Sequence, residues 1–303
     1  MSNLYSTQSS NIWKTWTLMS LFFIIIIFLG WFLSLYYDSQ AILVGAFLFS
    51  VIMNFVSYWF SDKIVLSISG AKEAKKEEFY DLYTLVENLS ISTGLPMPKV
   101  YVIPDRSPNA FATGRNEKHA TLAFTMGILE ILNKAELEGV IAHELAHVKN
   151  KDILLQSVVV VLVGFITMLS DIFIRSTFFR GSRDNDSGKA GTIIMVVGIV
   201  LLILSPIIAM LIQLAISRKR EFLADATGAL MTRYPEGLAS ALEKISANAQ
   251  PLQKANHATA HLFISDPYKE RDEKGKEKMG FFHKLFLTHP PVEERVNALI
   301  GKK

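Results

Sequence analysis

The sequence predicts a mainly α membrane protein with a small β-sheet and about four transmembrane helices. Three observations support this prediction: four long apolar blocks, short β-rich segments between residues 99 and 125, and helical patterns after residue 217. Half of the residues are hydrophobic, and the mean hydropathy of +0.29 is high for a soluble protein. Because the apolar residues are concentrated in the blocks, we expect the chain to divide into membrane and soluble parts.

Residues 1–62 are expected to form an N-terminal transmembrane hairpin. One apolar block runs from about Thr15 to Tyr37 and another from Ala41 to Phe60, and neither contains a charged side chain. Each is long enough to cross a hydrocarbon core, which needs about 20 residues. The first block is too long for a secretory signal and lacks a small-residue cleavage site, so a retained hairpin fits better. Aromatic residues lie near the block ends, as in an interfacial belt: Trp13, Trp16, Tyr36, Tyr37, Tyr58 and Trp59.

Residues 153–216 are expected to form a second transmembrane hairpin. The third block runs from Ile153 to about Ile174 and is broken only by Asp171. The fourth runs from Thr192 to Ile216 and contains a proline, which can kink a transmembrane helix without excluding it. An alternative stays open, in which these two blocks form a hydrophobic hairpin sunk only partly into the bilayer.

The two remaining stretches, residues 63–152 and 217–303, are expected to be the two parts of one catalytic domain. The charged segment Lys72–Glu78 is typical of a surface helix, and residues 217–303 are mostly helical in pattern. Three extended segments predict a small sheet of three or four strands: residues 99–103, 109–113 and 120–125.

The chemistry is indicated by His143, Glu144 and His147, on a predicted helix that begins at Asn133. Two histidines four residues apart leave the same face of a helix, so both imidazoles can bind one zinc ion at about 2.0–2.1 Å. Glu144 can then reach a water on the metal and act as a general base. The chain has no cysteine, so histidine and carboxylate side chains must supply any metal ligands.

A third ligand is needed, because the residues directly after His147 include no further histidine. Glu221 and Asp225 share one face of a predicted helix in the segment Ser217–Asp225. Glu221 can bind the metal, and Asp225 can accept a hydrogen bond from a ligating imidazole. Two membrane crossings between His147 and Glu221 would return the chain to the same side. This ligand set predicts a gluzincin-type metallopeptidase domain with one Zn²⁺ per chain.

Two other classes of function share features with this sequence. One is an inactive membrane scaffold built on a protease fold, although all the expected ligands and Glu144 are present. The other is a metal transporter or sensor, which would place ionisable residues inside the spans, where only Asp171 is found.

His257 and His261 also lie four apart, but without a carboxylate between them they indicate packing or surface residues. The net charge of +3 includes no basic stripe, so no nucleic acid is expected as a partner.

Basic residues predict the sidedness of the chain. The loop at residues 38–40 has no Lys or Arg, and the loop at 175–191 has four. More of them lie near membrane ends on the catalytic side: Lys63, Lys72, Lys75, Lys76, Lys149, Lys151, Arg218, Lys219 and Arg220. The catalytic site is therefore expected to face the cytoplasm from a multi-pass protein of the cytoplasmic (inner) membrane.

The whole pattern resembles the HtpX family of bacterial membrane proteases, whose catalytic domain is similar to that of the CAAX prenyl proteases. The resemblance covers the N-terminal apolar pair, Pro108–Gly114, His143–His147, Ser217–Asp225 and His289-Pro290. It implies a zinc metalloendopeptidase of stress response and protein quality control. Its expected partners are polypeptide substrates, chiefly misfolded membrane proteins, and the lipid bilayer.

The resemblance also implies roles for single residues. His143, His147 and Glu221 would be the zinc ligands, with Glu144 as the general base and Asp225 as a partner of a ligating histidine. His289 would stabilise the oxyanion, unless it only caps a helix before Pro290. An exposed edge strand would pair with the substrate backbone; it comprises Asn109, Ala110, Phe111, Ala112 and Thr113.

Overall fold

The computed structural model describes residues 4–165, 218–248, 262–264 and 290–301. The helices in these residues are α1 (Leu4–Tyr36), α2 (Gln40–Trp59), α3 (Ser61–Ser69), α4 (Tyr80–Thr93), α5 (Met126–Ile131), α6 (Lys134–Lys149), α7 (Ile153–Phe165), α8 (Arg218–Thr232), α9 (Pro235–Ala247) and α10 (Val292–Ile300). The strands are β1 (Lys72–Glu73), β2 (Lys99–Ile103), β3 (Ala110–Thr113) and β4 (Thr121–Thr125). The predicted helical fold with a small sheet is confirmed.

Helices α1 and α2 form a hairpin that exposes large apolar side chains. They pack side by side, with Trp16 stacked on Tyr58 and the Gly30 backbone close to Ala46. Both are long and apolar enough to cross a membrane. Their outward side chains are those that a soluble protein would bury; exposed examples are Phe28, Trp31, Leu35, Leu48, Ile52 and Phe55.

The third apolar block begins as helix α7, which lies inside the protein. Leu155, Val158 and Leu162 of α7 are fully buried in a cluster that includes Leu18 and Phe22 of α1. The end of this block and the whole fourth block lie outside the described residues, as do His257 and His261. Of the expected second hairpin, only residues 153–165 are described. Two candidate membrane helices are therefore described, and the prediction of four remains a prediction.

The sheet has four strands in the order β1-β2-β4-β3, with β2 and β4 parallel and the outer pairs antiparallel. Neighbouring residues of the strands alternate between two apolar clusters. Ala110 and Ala112 face the cluster that contains α4 and α6, whereas Phe111 faces the cluster built by α1 and α7. The sheet therefore has helices α4 and α6 packed on one face and helices α1 and α7 packed on the other.

The prediction of a surface helix at Lys72–Glu78 is wrong. Lys72 and Glu73 form strand β1 opposite Val102 and Tyr101, and the Ala74 amide donates to the Val100 carbonyl at 3.0 Å. Charge-rich composition is only a weak indication of a helix, and pairing with the edge of β2 satisfies the backbone of this segment instead.

Helix α6 begins at a capping box, as its sequence indicates. The Asn133 side chain accepts from the Glu136 amide at 3.0 Å, and the Glu136 carboxylate accepts from the Asn133 amide at 2.9 Å. The buried Glu136 side chain also accepts hydrogen bonds from Ser240 at 2.7 Å and Lys244 at 2.8 Å, both on α9. One carboxylate thus fixes the start of α6 and joins it to α9.

We expect Glu136→Ala to lower the free energy of unfolding by about 1–2 kcal/mol, because a helix cap and two contacts to α9 are lost together. Thermal unfolding in detergent would measure the effect. Glu138→Ala, on the same helix and half-buried, is the matched control. Equal changes in the two variants would contradict the role given to Glu136.

Candidate metal centre

Helices α6 and α8 bring three possible metal ligands together. His143 and His147 leave the same face of α6, and Glu221 lies on the first turn of α8. The two Nε2 atoms are 3.2 Å apart, and the Glu221 carboxylate lies 3.9 Å from His143 Nε2 and 3.7 Å from His147 Nε2. All three side chains are buried.

Carboxylates hold the other ring nitrogens of both histidines. Asp225, one turn after Glu221, is 2.9 Å from His143 Nδ1, and Asp152 is 3.0 Å from His147 Nδ1. These contacts fix the orientation of the imidazole rings, so that both Nε2 atoms face Glu221. Sequence reasoning found Asp225 but missed Asp152.

Asp152 reaches His147 because the chain reverses at the end of α6. Lys151 has a positive φ of 58°, and the Asp152 amide donates to the His147 carbonyl at 3.0 Å. This turn folds the residue five positions after His147 back against the helix. Lysine rarely adopts a positive φ, so the sequence Lys151-Asp152 did not indicate that the chain turns back here.

A glycine allows α8 to approach α6 at the site. Gly228 follows Glu221 by seven residues and Asp225 by three, so all three lie on the face of α8 toward α6. A Cβ atom at Gly228 would lie 3.0 Å from the backbone nitrogen of His143. A larger residue would push apart the two helices that carry the ligands.

The residues present fit a divalent metal ion. Ligand atoms bound tetrahedrally at about 2.0–2.1 Å lie roughly 3.3–3.4 Å apart, close to the separations of 3.2, 3.7 and 3.9 Å found here. The charges agree as well. Within the described residues, four carboxylates are buried around the site (Glu144, Asp152, Glu221 and Asp225), together with two guanidinium groups (Arg220 and Arg295). With all four carboxylates ionised, these groups carry two net negative charges, which a dication neutralises.

Arg295 of α10 is a member of the site that sequence reasoning missed. Its buried guanidinium donates to both oxygens of Asp225, at 2.8 and 2.7 Å, and lies 3.9 Å from Glu221. Burial favours a neutral Asp225, but the charge and hydrogen bonds of Arg295 are stronger together and lower the pKa of Asp225 to about 2. Arg295 lies 70 residues after Asp225, so no local pattern indicates the pair.

Glu144, the expected general base, is a buried side chain beside the three possible ligands. It follows His143 on α6 and is buried, which raises its pKa to about 7 against the opposing effect of His147. The backbone amide of Ala112, on β3, donates a hydrogen bond to it. A bound cation would favour its ionised form, and a base with a pKa near the working pH transfers protons most effectively.

Without a metal, the two histidines differ in charge. Burial lowers the pKa of His143 to about 4, with Arg295 and His147 adding to the effect. Burial also disfavours the charged form of His147, but the hydrogen bond to Asp152 and the charge of Glu221 raise its pKa to about 9. The metal-free site therefore holds a proton on His147 at neutral pH.

The expected substrate strand lies at the edge of the sheet, but it is not exposed. Residues of β3 are at most 2% exposed. Phe263 packs against Phe111 at 5.3 Å, and the Ile264 amide donates to the Ala110 carbonyl at 3.1 Å. The expectation of an exposed edge was wrong because a segment distant in sequence covers it. His289 lies outside the described residues, so its expected role stays a prediction.

Comparisons with known proteins give one consistent result. A family model described as peptidase family M48 matches residues 76–303. Relatives named Protease HtpX homolog include one from Caldanaerobacter subterraneus subsp. tengcongensis, 43% identical over 98% of this chain and 97% of its own. One from Pyrococcus furiosus is 46% identical over 86% of each chain. The crystal structure of S. mikatae Ste24p is similar with a TM-score of 0.51 and 17% identity, covering 97% of this chain and 67% of that one.

We expect zinc binding to release about one proton at pH 7, because His147 must lose its proton to become a ligand. The affinity should then rise with pH until the pKa of His147, about 9, is passed. Calorimetry in buffers of different ionisation enthalpy would count the protons. Glu144→Gln should serve as the background, so that Glu144 contributes none. Binding without proton release would contradict the assigned charge of His147.

Proposed function

This chain belongs to peptidase family M48 and is a metalloprotease, and from that premise we propose that it is a zinc-dependent endopeptidase held in a membrane. The observation that carries the proposal is the convergence of His143, His147 and Glu221 beside Glu144. We propose one Zn²⁺ per chain, held by these three side chains with a fourth position open for water or substrate.

The metal and the protein contribute different parts of the chemistry. Zinc, when bound, lowers the pKa of a water toward about 7 and polarises the scissile carbonyl. Asp225 and Asp152 keep the two imidazoles oriented, and Arg295 keeps Asp225 ionised. The ligands therefore need no rearrangement before substrate binds, and this preorganisation favours a fast hydrolysis step.

Glu144 moves the proton. Its carboxylate accepts the proton of the attacking water and later returns it to the leaving amine nitrogen, which breaks the peptide bond. The Ala112 amide holds one side of the carboxylate, so that the proton transfer has a fixed direction. We propose His289 as the donor to the oxyanion, as the family resemblance implies.

The substrate chain is proposed to align along β3. This strand ends the sheet order, and its Ala112 amide already contacts Glu144. A substrate that pairs with the backbone of residues 109–113 would be held by main-chain hydrogen bonds, with little demand on its side chains. Since residues 262–264 cover part of this edge, they would have to shift at Ala110 for a long substrate to bind.

The site is proposed to lie at the membrane surface. Helix α1 has 33 residues and is therefore about 50 Å long, whereas a hydrocarbon core is about 30 Å thick. Its first turns extend beside the metal site, where Gln8 donates to the Lys149 carbonyl at 2.7 Å. Exposed aromatic residues mark the same end of the hairpin, at Trp13, Trp16 and Trp59.

The proposed position of the active site at the membrane surface supports a role in protein quality control. A protease that recognises backbone at the bilayer surface could cleave membrane proteins whose segments have lost their structure. We propose misfolded or damaged membrane proteins as substrates. The excess of lysine and arginine on the catalytic side supports a cytoplasmic active site in the inner membrane.

Zinc content and casein cleavage of purified variants test the function. We expect Glu144→Gln to keep one zinc per chain and to cleave at least about 100-fold more slowly, because only the base is lost. We expect Glu221→Ala to lose zinc together with activity. Glu138→Gln, at a half-buried position of the same helix, is the matched control and should match the wild type. Full activity and zinc in Glu221→Ala would exclude it as a ligand, and activity in Glu144→Gln would exclude Glu144 as the base.

Single cysteines test the sidedness, since the natural sequence has none to interfere. We expect an impermeant maleimide to label Asp38→Cys in intact bacterial cells, because this exposed loop joins α1 to α2 away from the site. Lys118→Cys, exposed on the catalytic part, should react only after permeabilisation. The opposite pattern would show that the active site faces outward. The cysteine-free chain controls for background labelling.

A further inference from the structure

A buried asparagine on α1 contacts the metal centre. Asn11 is 1% exposed and lies just before the first apolar block. Its Nδ2 donates to Asp152 Oδ1 and, at 3.1 Å, to the Asn150 carbonyl. Its Oδ1 accepts from Arg220 Nη1 at 3.3 Å. A single side chain of the membrane hairpin therefore contacts the ends of both helices that carry ligands.

Asp152 connects this asparagine to a ligand. One carboxylate oxygen accepts from Asn11, and the other is 3.0 Å from His147 Nδ1. Asp152 is fully buried, and donors on both oxygens hold a buried carboxylate in one orientation. The Asn11 amide supplies one of these donors, so the orientation of His147 depends on a residue of α1.

The contact is part of a wider docking of α1 on the end of α6. Gln8, one turn earlier on the same helix, donates to the Lys149 carbonyl at 2.7 Å. Thr15, one turn later, donates to the Asn11 carbonyl at 2.9 Å and is buried. Of these three polar residues, Asn11 alone contacts Asp152, the carboxylate that orients His147. Variants of Gln8 can therefore test the docking of α1 separately from the orientation of His147.

We propose that Asn11 is a positioning residue for His147, acting through Asp152, so that the metal centre reaches its full affinity only with α1 docked. The inference rests on the proposed metal site formed by His143, His147 and Glu221. It extends the site from the catalytic part of the chain into the membrane hairpin. Its consequence is that the hairpin does more than anchor the enzyme.

Zinc dissociation constants of the full-length chain in detergent, measured by competition with a chelator, test this role. Asn11→Asp has the same shape and keeps an acceptor for Arg220, but it loses both donors and places a carboxylate against Asp152. We expect its zinc affinity to fall roughly 10-fold, within the range typical for partners of metal ligands. Gln8→Ala, which loses a docking bond without touching Asp152, should change the affinity less than about 2-fold.

A residue swap provides the rescue. In Asn11→Asp combined with Asp152→Asn, the amide at 152 donates to the carboxylate at 11, while its oxygen still accepts from His147. We expect this double variant to bind zinc more tightly than Asn11→Asp alone, because the hydrogen bond between positions 11 and 152 is restored with donor and acceptor exchanged. The thermal midpoint of the metal-free proteins shows whether folding has changed.

The outcomes separate this inference from the proposed function. Wild-type affinity in Asn11→Asp would overturn the inference, and so would an equal loss in Gln8→Ala or a loss without rescue by the swap. If the wild type itself bound no zinc, or if Glu221→Ala bound it equally well, the metal site would be wrong. A loss in Asn11→Asp with rescue and an unchanged metal-free midpoint would establish the positioning role.

Discussion

Helices α6 and α8 cross where Gly228 lies against the backbone of His143, and the metal centre depends on this crossing. The histidines come from one helix and Glu221 from the other, so their distances are set by how closely the two backbones pack. Rigid helices position ligands better than loops do. The sheet, the capping box and the contacts of α9 support the crossing from the other side.

The burial of so many charges explains why further residues are needed around the ligands. An isolated buried carboxylate is costly, so each of these acids has a donor or a cation beside it. Arg295 fulfils this role for Asp225. The metal-free site replaces the missing positive charge with a proton on His147, where the pKa is about 9. Metal binding and proton loss are therefore linked through the same buried charges.

Structure and site residues could be predicted from the sequence where the pattern involves residues that are close together along the chain. Spacing on one helix indicated His143, Glu144 and His147, and the shared face of Glu221 and Asp225 on a later predicted helix indicated the third ligand. Alternating segments located three of the four strands. What failed depended on contacts between distant segments. The covered edge of β3 needs residues 262–264, the strand β1 needs its partner, and three residues of the centre are recognisable only in the folded chain: Asn11, Asp152 and Arg295.

The order of these residues along the chain has a consequence during synthesis. The ribosome produces Asn11 first, then the two histidines, then Glu221 and finally Arg295. A nascent chain that has emerged only as far as the histidines lacks a ligand, and one that ends before α10 leaves Asp225 without its cation. Proteolytic activity therefore arises only after Arg295 has been synthesised, so the order of assembly of the site follows the order of its residues along the chain.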